Sequence, residues 1–392
     1  MEVMRRALLL VLGLAACGHG GFATIPTTPA RDLAASRPAT AAPPAAPGSD
    51  KLAARDPRVI DLDVIRIRAI PRGVGGEPEM ETVATAELFK QANAAAKAGH
   101  GDEAMAIYRR IVTEFGDSAF APVCLFNIAA IQDGRGDPVL TVNTLRELVD
   151  SYPNARESID GHLYIAALQL EHKQFAEAVK TVDALLARPN LTYSDKIEAG
   201  ARRGYAQVEL GAWDAAKVSL TGAIDSWRLA PHIEDPYYIA MASYYLAEIA
   251  HRRFTAAPVR LPDDQIVADL EAKRVLAVAA YDGWRASLEF KQPYWSSASG
   301  YQMSQIFFEL WEATVRAPYP TRIEVAARPK YVAELHARVR DYLTKALDGH
   351  RMNVELARAY GVDTSWSQGS DERAAQILQI LGREDAGQLV TP

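Results

Sequence analysis

Eight histidines and two cysteines are the residues of this chain best suited to metal or nucleophilic chemistry. Their spacing argues against both. His19, His100, His162, His172, His232, His251, His336 and His350 are scattered, and no two stand four apart around a glutamate as a helical zinc motif requires. Cys124 alone could join them as a soft ligand. Gly73-Val74-Gly75-Gly76 lacks the lysine-serine ending of a phosphate loop and reads as a turn. No serine sits in a nucleophile elbow, and Asp263-Asp264 reads as a helix cap. The sequence therefore predicts no enzyme, no metal and no cofactor.

Cys17 carries chemistry of another kind. Arg5-Arg6 precedes an apolar run from Ala7 to Leu14, too short to span a bilayer, and Leu14-Ala15-Ala16-Cys17 resembles the bacterial lipobox. The expectation is a lipoprotein signal peptide over 1–16 and lipidation at Cys17, with acyl chains contributing about 0.8 kcal/mol per buried methylene. Gly18, rather than aspartate, follows the cysteine. That favours the outer membrane, with the folded part on its periplasmic face. Cys124 is then the one cysteine left, so no internal disulfide can form, and beside Leu125 and Ile128 it reads as a small buried hydrophobe. A net charge of −6 shows no nucleic-acid footprint.

The elements that must follow can be read in order. Residues 17–57 are rich in Ala, Pro, Thr and Ser without periodicity, which predicts a disordered tether. Over 58–76 an extended segment is expected, because Ile65-Arg66-Ile67-Arg68-Ala69-Ile70 alternates. From Pro122 to Ala155 the pattern becomes helical. Leu125, Ile128, Ala129 and Gln132 recur at helical spacing, Gly134 to Asp137 make a turn, and Val139, Leu145, Leu148 and Val149 form a second helix ending at Pro153. Such a helix pair of this length resembles a tetratricopeptide (TPR) repeat.

Related pairs precede and follow it, giving four TPR-like repeats over 85–230. The strongest local signature is Gly211-Ala212-Trp213-Asp214-Ala215-Ala216. Over 236–382 the period stretches into longer, divergent helices. Gly349 reads as a kink within Lys330–Tyr360, a helix stopped by Gly361, and Ser370 reads as the cap of a sealing helix, before a tail over 383–392. The expected fold is all-α: a TPR-like α-solenoid, a right-handed superhelix of antiparallel helix pairs, with irregular long helices at its C-terminal end. More narrowly, Ala257 to Pro262, Asp269 to Lys273, Pro293-Tyr294-Trp295, Gly300-Tyr301 and Trp366 resemble a group of TPR outer-membrane lipoproteins of myxobacteria and relatives. That group includes the TPR lipoprotein of the gliding-motility envelope complex, and the resemblance covers about residues 58 to 381.

What the TPR resemblance implies for binding can be placed on residues. First helices of TPR pairs line the concave face, and their ligand-facing positions correspond to Phe89, Asn93, Phe126, Ala130, Leu163, Ala167, Tyr205, Glu209, Tyr244 and Glu248. Each has packing between repeats as its alternative. Asn93 and Asn127 match asparagines of the carboxylate-clamping TPR domains, but Phe89 and Asp160 stand where that clamp needs lysines. An amphipathic helix or extended segment suits such a groove better. The aromatic cluster of Tyr281, Trp284, Tyr294, Trp295, Tyr301 and Trp311 reads as core, and Arg202-Arg203 and Arg252-Arg253 as solvated helix faces. The implied role is a non-catalytic adaptor anchored in the outer membrane by its lipid and joining other envelope proteins in a motility, secretion or pilus-type machine. The alternatives are a structural lipoprotein tethered to peptidoglycan and an accessory subunit positioning a cell-wall enzyme.

Overall fold

The computed structural model describes residues 65–70, 79–359 and 363–391. The expected signal peptide, Cys17, the tether of 17–57, the flanks 58–64 and 71–76 of the extended segment, and the stop at Gly361 lie outside the described residues. β1 (Ile65–Ile70) pairs antiparallel with β2 (Glu79–Ala84), Ile65 opposite Ala84 and Ile70 opposite Glu79. The alternating stretch is thus a strand, and its partner comes from the same chain. That partner is not apparent in the sequence, because Glu79-Met80-Glu81 begins with acidic residues of poor strand propensity.

The helices divide into two compact units, which meet in sequence at Pro189 and Asn190. In the first, α1 (Thr85–Lys97) pairs with α2 (Gly101–Glu114), α3 (Phe120–Gly134) with α4 (Pro138–Ser151), and α5 (Arg156–Glu171) with α6 (Phe175–Leu186). In the second, α7 (Tyr193–Glu209) pairs with α8 (Trp213–Leu229), α9 (Tyr237–Ala256) with α10 (Asp263–Ser287), and α11 (Pro293–Val315) with α12 (Arg328–Ala359); α13 (Ser365–Asp385) packs on α11 and α12. Within each unit every helix also packs on the next in sequence, so each is a solenoid of stacked antiparallel pairs. The reason is physical: one pair cannot cover its own apolar face, and stacking makes the core continuous. Leu88, Ala92, Ala104, Tyr108, Ile111 and Phe115 fill the first such layer, and Leu125, Leu145, Leu148 and Ile165 the next.

A repeated joint ends the first helix of the first four pairs. Gly99, Gly136, Lys173 and Gly211 each take a left-handed backbone, with φ of 81°, 76°, 57° and 73°. The following amide bonds back to the carbonyl five residues earlier (His100 to Ala95, Asp137 to Gln132, Gln174 to Gln169, Ala212 to Gln207), a Schellman closure that satisfies the last turn. Three of these acceptor residues are glutamines with a second task. Thr144 donates to Gln132 Oε1 (2.8 Å), Thr181 to Gln169 Oε1 (2.8 Å) and Ser219 to Gln207 Oε1 (2.7 Å), each from the second helix of the same pair. Gln132 is therefore a polar tie rather than a member of the apolar stripe.

Other local expectations are corrected. Val139 is 68% exposed, because the buried face of α4 runs through Thr141, Thr144, Leu145 and Leu148, and Val139 lies round the helix from it. Asp137 caps that helix, accepting from the Leu140 amide at 3.0 Å, with Pro138 in its first turn. At α10 neither Asp263 nor Asp264 makes a side-chain cap; Asp263 instead accepts from the Thr321 amide (2.6 Å) and hydroxyl (2.8 Å) and pairs with Arg322 (3.2 Å). Gly349 does not interrupt α12. It gives room to Ser304 of α11, whose Oγ a Cβ there would strike. The cap of α13 is Thr364 in a reciprocal box with Ser367, and Ser370 lies buried one turn inside, accepting from Asn353 Nδ2 at 2.9 Å. Beyond Pro231 the helices lengthen as expected, from 12–17 residues in the first four pairs to 20–32 afterwards. Among the described residues no helix is long and apolar enough to cross a membrane.

Candidate partner-binding surface

Within each unit the first helices touch one another, α1 to α3 to α5 and α7 to α9 to α11 to α13. In the first unit the positions expected to face a ligand separate by depth. Phe89 (6% exposed), Leu163 (2%) and Ala167 (4%) are buried, so they present almost no surface to a partner. Phe89 packs its ring on Phe120 at 4.9 Å and Tyr108 at 6.0 Å. Asn93, Phe126 and Ala130 keep accessible surface. Tyr108 donates to Asn93 Oδ1 at 2.5 Å, and burial pushes the Tyr108 hydroxyl up to about 12, against a smaller lowering by Asn127. Of the two clamp-like asparagines, Asn93 thus serves this buried tyrosine, and Asn127 lies buried. Asp160, where a clamp lysine would stand, pairs with Arg156 at 3.1 Å. Cys124 is buried, and burial pushes its thiol well above the ordinary range, as its reading as a small hydrophobe requires.

The second unit holds a denser arrangement. Tyr205 of α7 stacks on Tyr245 of α9 with centroids 4.5 Å apart. Tyr245 in turn meets Trp295 of α11 at 5.7 Å, and Trp295 meets Tyr294 at 5.0 Å and Tyr237 at 5.6 Å. The rings lie in two depths: Trp295, Tyr237 and Tyr244 are buried, whereas Tyr205, Tyr238, Tyr245 and Tyr294 are half-buried. Trp284 and Trp311 belong to the core as expected, while Tyr281 and Tyr301 are half-buried. Of the expected positions here, Tyr205 and Glu209 retain surface, and Tyr244 (3%) and Glu248 (5%) do not. Tyr244 is covered by Trp295, Trp284 and Trp366, and its hydroxyl accepts from Gln302 Nε2 at 3.2 Å.

Charges beside the rings are paired within the chain. Arg202 is buried rather than solvated: Nε and Nη2 bond Glu198 Oε1 at 3.0 and 2.9 Å, and Nη2 donates to the Tyr238 hydroxyl at 2.6 Å. Burial disfavours its charge, and Tyr238 and Glu198 more than restore it. Arg252 bridges α9 to α7, meeting Glu248 and Glu209 at 2.8 Å each. Arg253 is exposed and pairs with Asp214 at 2.7 Å. The missed residues here are Arg202 and Tyr238, since an Arg-Arg pair in a helix carries no sign of which side faces the interior. Among the described residues no group of three or more His, Cys, Asp or Glu side chains could hold a metal ion.

The fold and this surface define a helical-repeat protein. Residues 78–231 match the model of the tetratricopeptide repeat-like domain family. No curated protein matches the chain. Among solved structures it is similar to the C-terminal part of a TPR repeat-containing protein from Cytophaga hutchinsonii, at 12% identity, covering 76% of this chain and 98% of that one, with a TM-score of 0.40. A tetratricopeptide repeat protein from Parabacteroides merdae is also similar, at 12% identity, 75% and 98% coverage and a TM-score of 0.36. MamA from Desulfovibrio magneticus RS-1 is similar over 50% of this chain and 94% of its own, at 14% identity and a TM-score of 0.33.

Proposed function

We propose that this protein is a non-catalytic scaffold that binds other proteins through the first helices of its repeats. The observation that carries this reading is the half-buried face of Tyr205, Tyr238, Tyr245 and Tyr294, drawn from three successive first helices. Tyrosine supplies large, stiff contact area with a polar tip, the composition of protein interfaces. The lipobox at Leu14–Cys17 supports an outer-membrane anchor, and the resemblance to the myxobacterial lipoproteins supports service in a motility, secretion or pilus-type envelope machine. Cys17→Ala should move the protein from the membrane pellet to the soluble periplasmic fraction, and retention in the pellet would sink the anchor. Purification from solubilised membranes should bring down a stoichiometric set of envelope proteins that is lost with Tyr205→Ala plus Tyr294→Ala. Sedimentation with purified sacculi in place of that set would transfer the reading to a peptidoglycan tether.

A further inference from the structure

We infer that residues 389–391 are a pH-released strap, held across α12 while His336 carries both ring protons and set free when the ring becomes neutral. Such a strap adds a conformational device to the scaffold reading and does not depend on it.

The hinge is Gly387. It takes a left-handed backbone, φ 77°, and the Gly387 and Gln388 amides close the last turn of α13 on the Glu384 and Arg383 carbonyls at 2.9 and 2.8 Å. The chain is thereby turned back toward α12, where the Val390 carbonyl stands 2.8 Å from His336 Nε2. The other ring nitrogen, Nδ1, lies 2.6 Å from Glu384 Oε1, and the two side chains are 3% and 4% exposed. A carbonyl and a carboxylate can only accept, so both contacts are hydrogen bonds only when the ring donates from both nitrogens and is charged. Burial opposes that form, and the bonds to Glu384 and Val390 together outweigh it. Arg340 Nη1 holds Glu384 as a carboxylate at 3.0 Å, and Arg340 Nη2 also meets Asp385 at 2.8 Å. From α11 the neighbour is the Trp311 ring, edge-on at 5.9 Å, which carries no charge. When the imidazole loses a proton, the carboxylate, as the stronger acceptor, keeps the one on Nδ1. Nε2 then turns a lone pair on the Val390 carbonyl, two acceptors with no proton between them. The strap loses its bond, whereas α13 stays tied to α12 through Arg340. Because the bonded ring titrates above its ordinary value of 6.5, the strap holds below about that pH and is released as pH rises through the folded value.

A nitroxide on Thr391→Cys, read by electron paramagnetic resonance in the full chain carrying Cys17→Ala, follows the strap; Cys124 is buried and takes no label. The spectrum should be broad at about pH 6 and sharpen reversibly in one transition as pH is raised to about 10. His336→Gln has no proton to lose, and its spectrum should not change across that range. Glu384→Gln removes the carboxylate that favours the charged ring and should move the transition down by about 1–3 pH units. A second label on Gln379→Cys, exposed on α13, should report no change in the parent. A Thr391 label equally mobile at both ends of the range overturns the inference, and so does a transition that survives His336→Gln. Sharpening of the Gln379 label at the same midpoint also overturns it, since the helix rather than the strap would then be moving. Should circular dichroism show His336→Gln unfolded, Glu384→Gln decides: a shifted midpoint upholds the strap, and an unmoved one overturns it.

Discussion

His251 of α9 reaches Glu309 of α11 through Nε2 at 2.7 Å, while its Nδ1 faces Glu248 at 3.2 Å. Burial beneath Trp284 and Phe254 would by itself favour the neutral ring, but the bonds to Glu248 and Glu309 outweigh it and lift the imidazole to about 9. The ring is therefore charged at neutral pH and ties two first helices together. Because the folded value lies above the unfolded one, its contribution is complete below about pH 6.5 and disappears as pH climbs through 9. The shift corresponds to roughly 3 kcal/mol. Urea unfolding at pH 6, 7.5 and 9.5 should show stability falling across this window. His251→Gln should flatten the fall, and a variant as steep as the parent would assign it to other groups.

His350 works in the opposite direction. It is fully buried on α12, its Nδ1 3.3 Å from Ser370 of α13 and its ring edge-on to Tyr301 at 5.1 Å. Burial, helped by the nearby Arg373 charge, pulls it down to about 3. The neutral ring is what folds, so its contribution is whole above pH 6.5 and is lost as the solution is acidified toward 3, by about 3 to 5 kcal/mol. His350→Phe preserves the contact with Tyr301 and cannot be protonated. That variant should lose less stability between pH 6.5 and 4 than the parent, as measured by the urea midpoint. An equal loss would show that His350 is not the acid-labile group.

The positions of helices were legible because their apolar residues recur at the helical period and their turns carry glycine or proline. Depth was harder to read. On α5 the stripe that suggested Leu163 and Ala167 as a binding surface is the stripe that packs against its neighbours, since both produce the same spacing. The half-buried tyrosines were partly legible: Tyr205 stood at a ligand-facing position, whereas Tyr238 and Tyr245 gain their place only when α9 lies against α7. Polar residues inside the stack left no trace. In sequence Gln132 falls within the apolar stripe of its helix, and only the helix opposite Gln132, Gln169 and Gln207 reveals the hydroxyl from which each accepts.

Close approach between α7 and α8 is carried by glycine as well as by Ala216. A Cβ on Gly204 would collide with Cγ and Cδ2 of Leu220, a fully buried side chain without room to move, and one on Gly200 would meet Ala223 Cβ at 3.0 Å. Gly204→Ala should therefore destabilise the protein by about 1–3 kcal/mol through overpacking. Gly222, in α8, has nothing within 4 Å, so Gly222→Ala should stabilise by up to about 1 kcal/mol from helix propensity alone. Urea midpoints that move together in the two variants would refute the tight contact.

Lys173 occupies the joint where the other three of the first four pairs place glycine. Its φ of 57° gives the turn after α5 the shape it has after α1, α3 and α7, and the closing bonds are made, Lys173 N to Leu170 O at 3.0 Å and Gln174 N to Gln169 O at 2.7 Å. A left-handed backbone crowds the Cβ of any L-residue against its own carbonyl, which costs about 1–2 kcal/mol. Glycine removes that crowding but gains freedom in the unfolded chain, which offsets part of the benefit. The lysine side chain is exposed, so little packing is lost with it. Lys173→Gly should then raise stability by about 0.5–1 kcal/mol, and Gly136→Lys should lower it by a similar amount. Denaturant midpoints that shift the other way in either variant would mean that the turn after α5 is held by its side chain rather than by its closing backbone bonds.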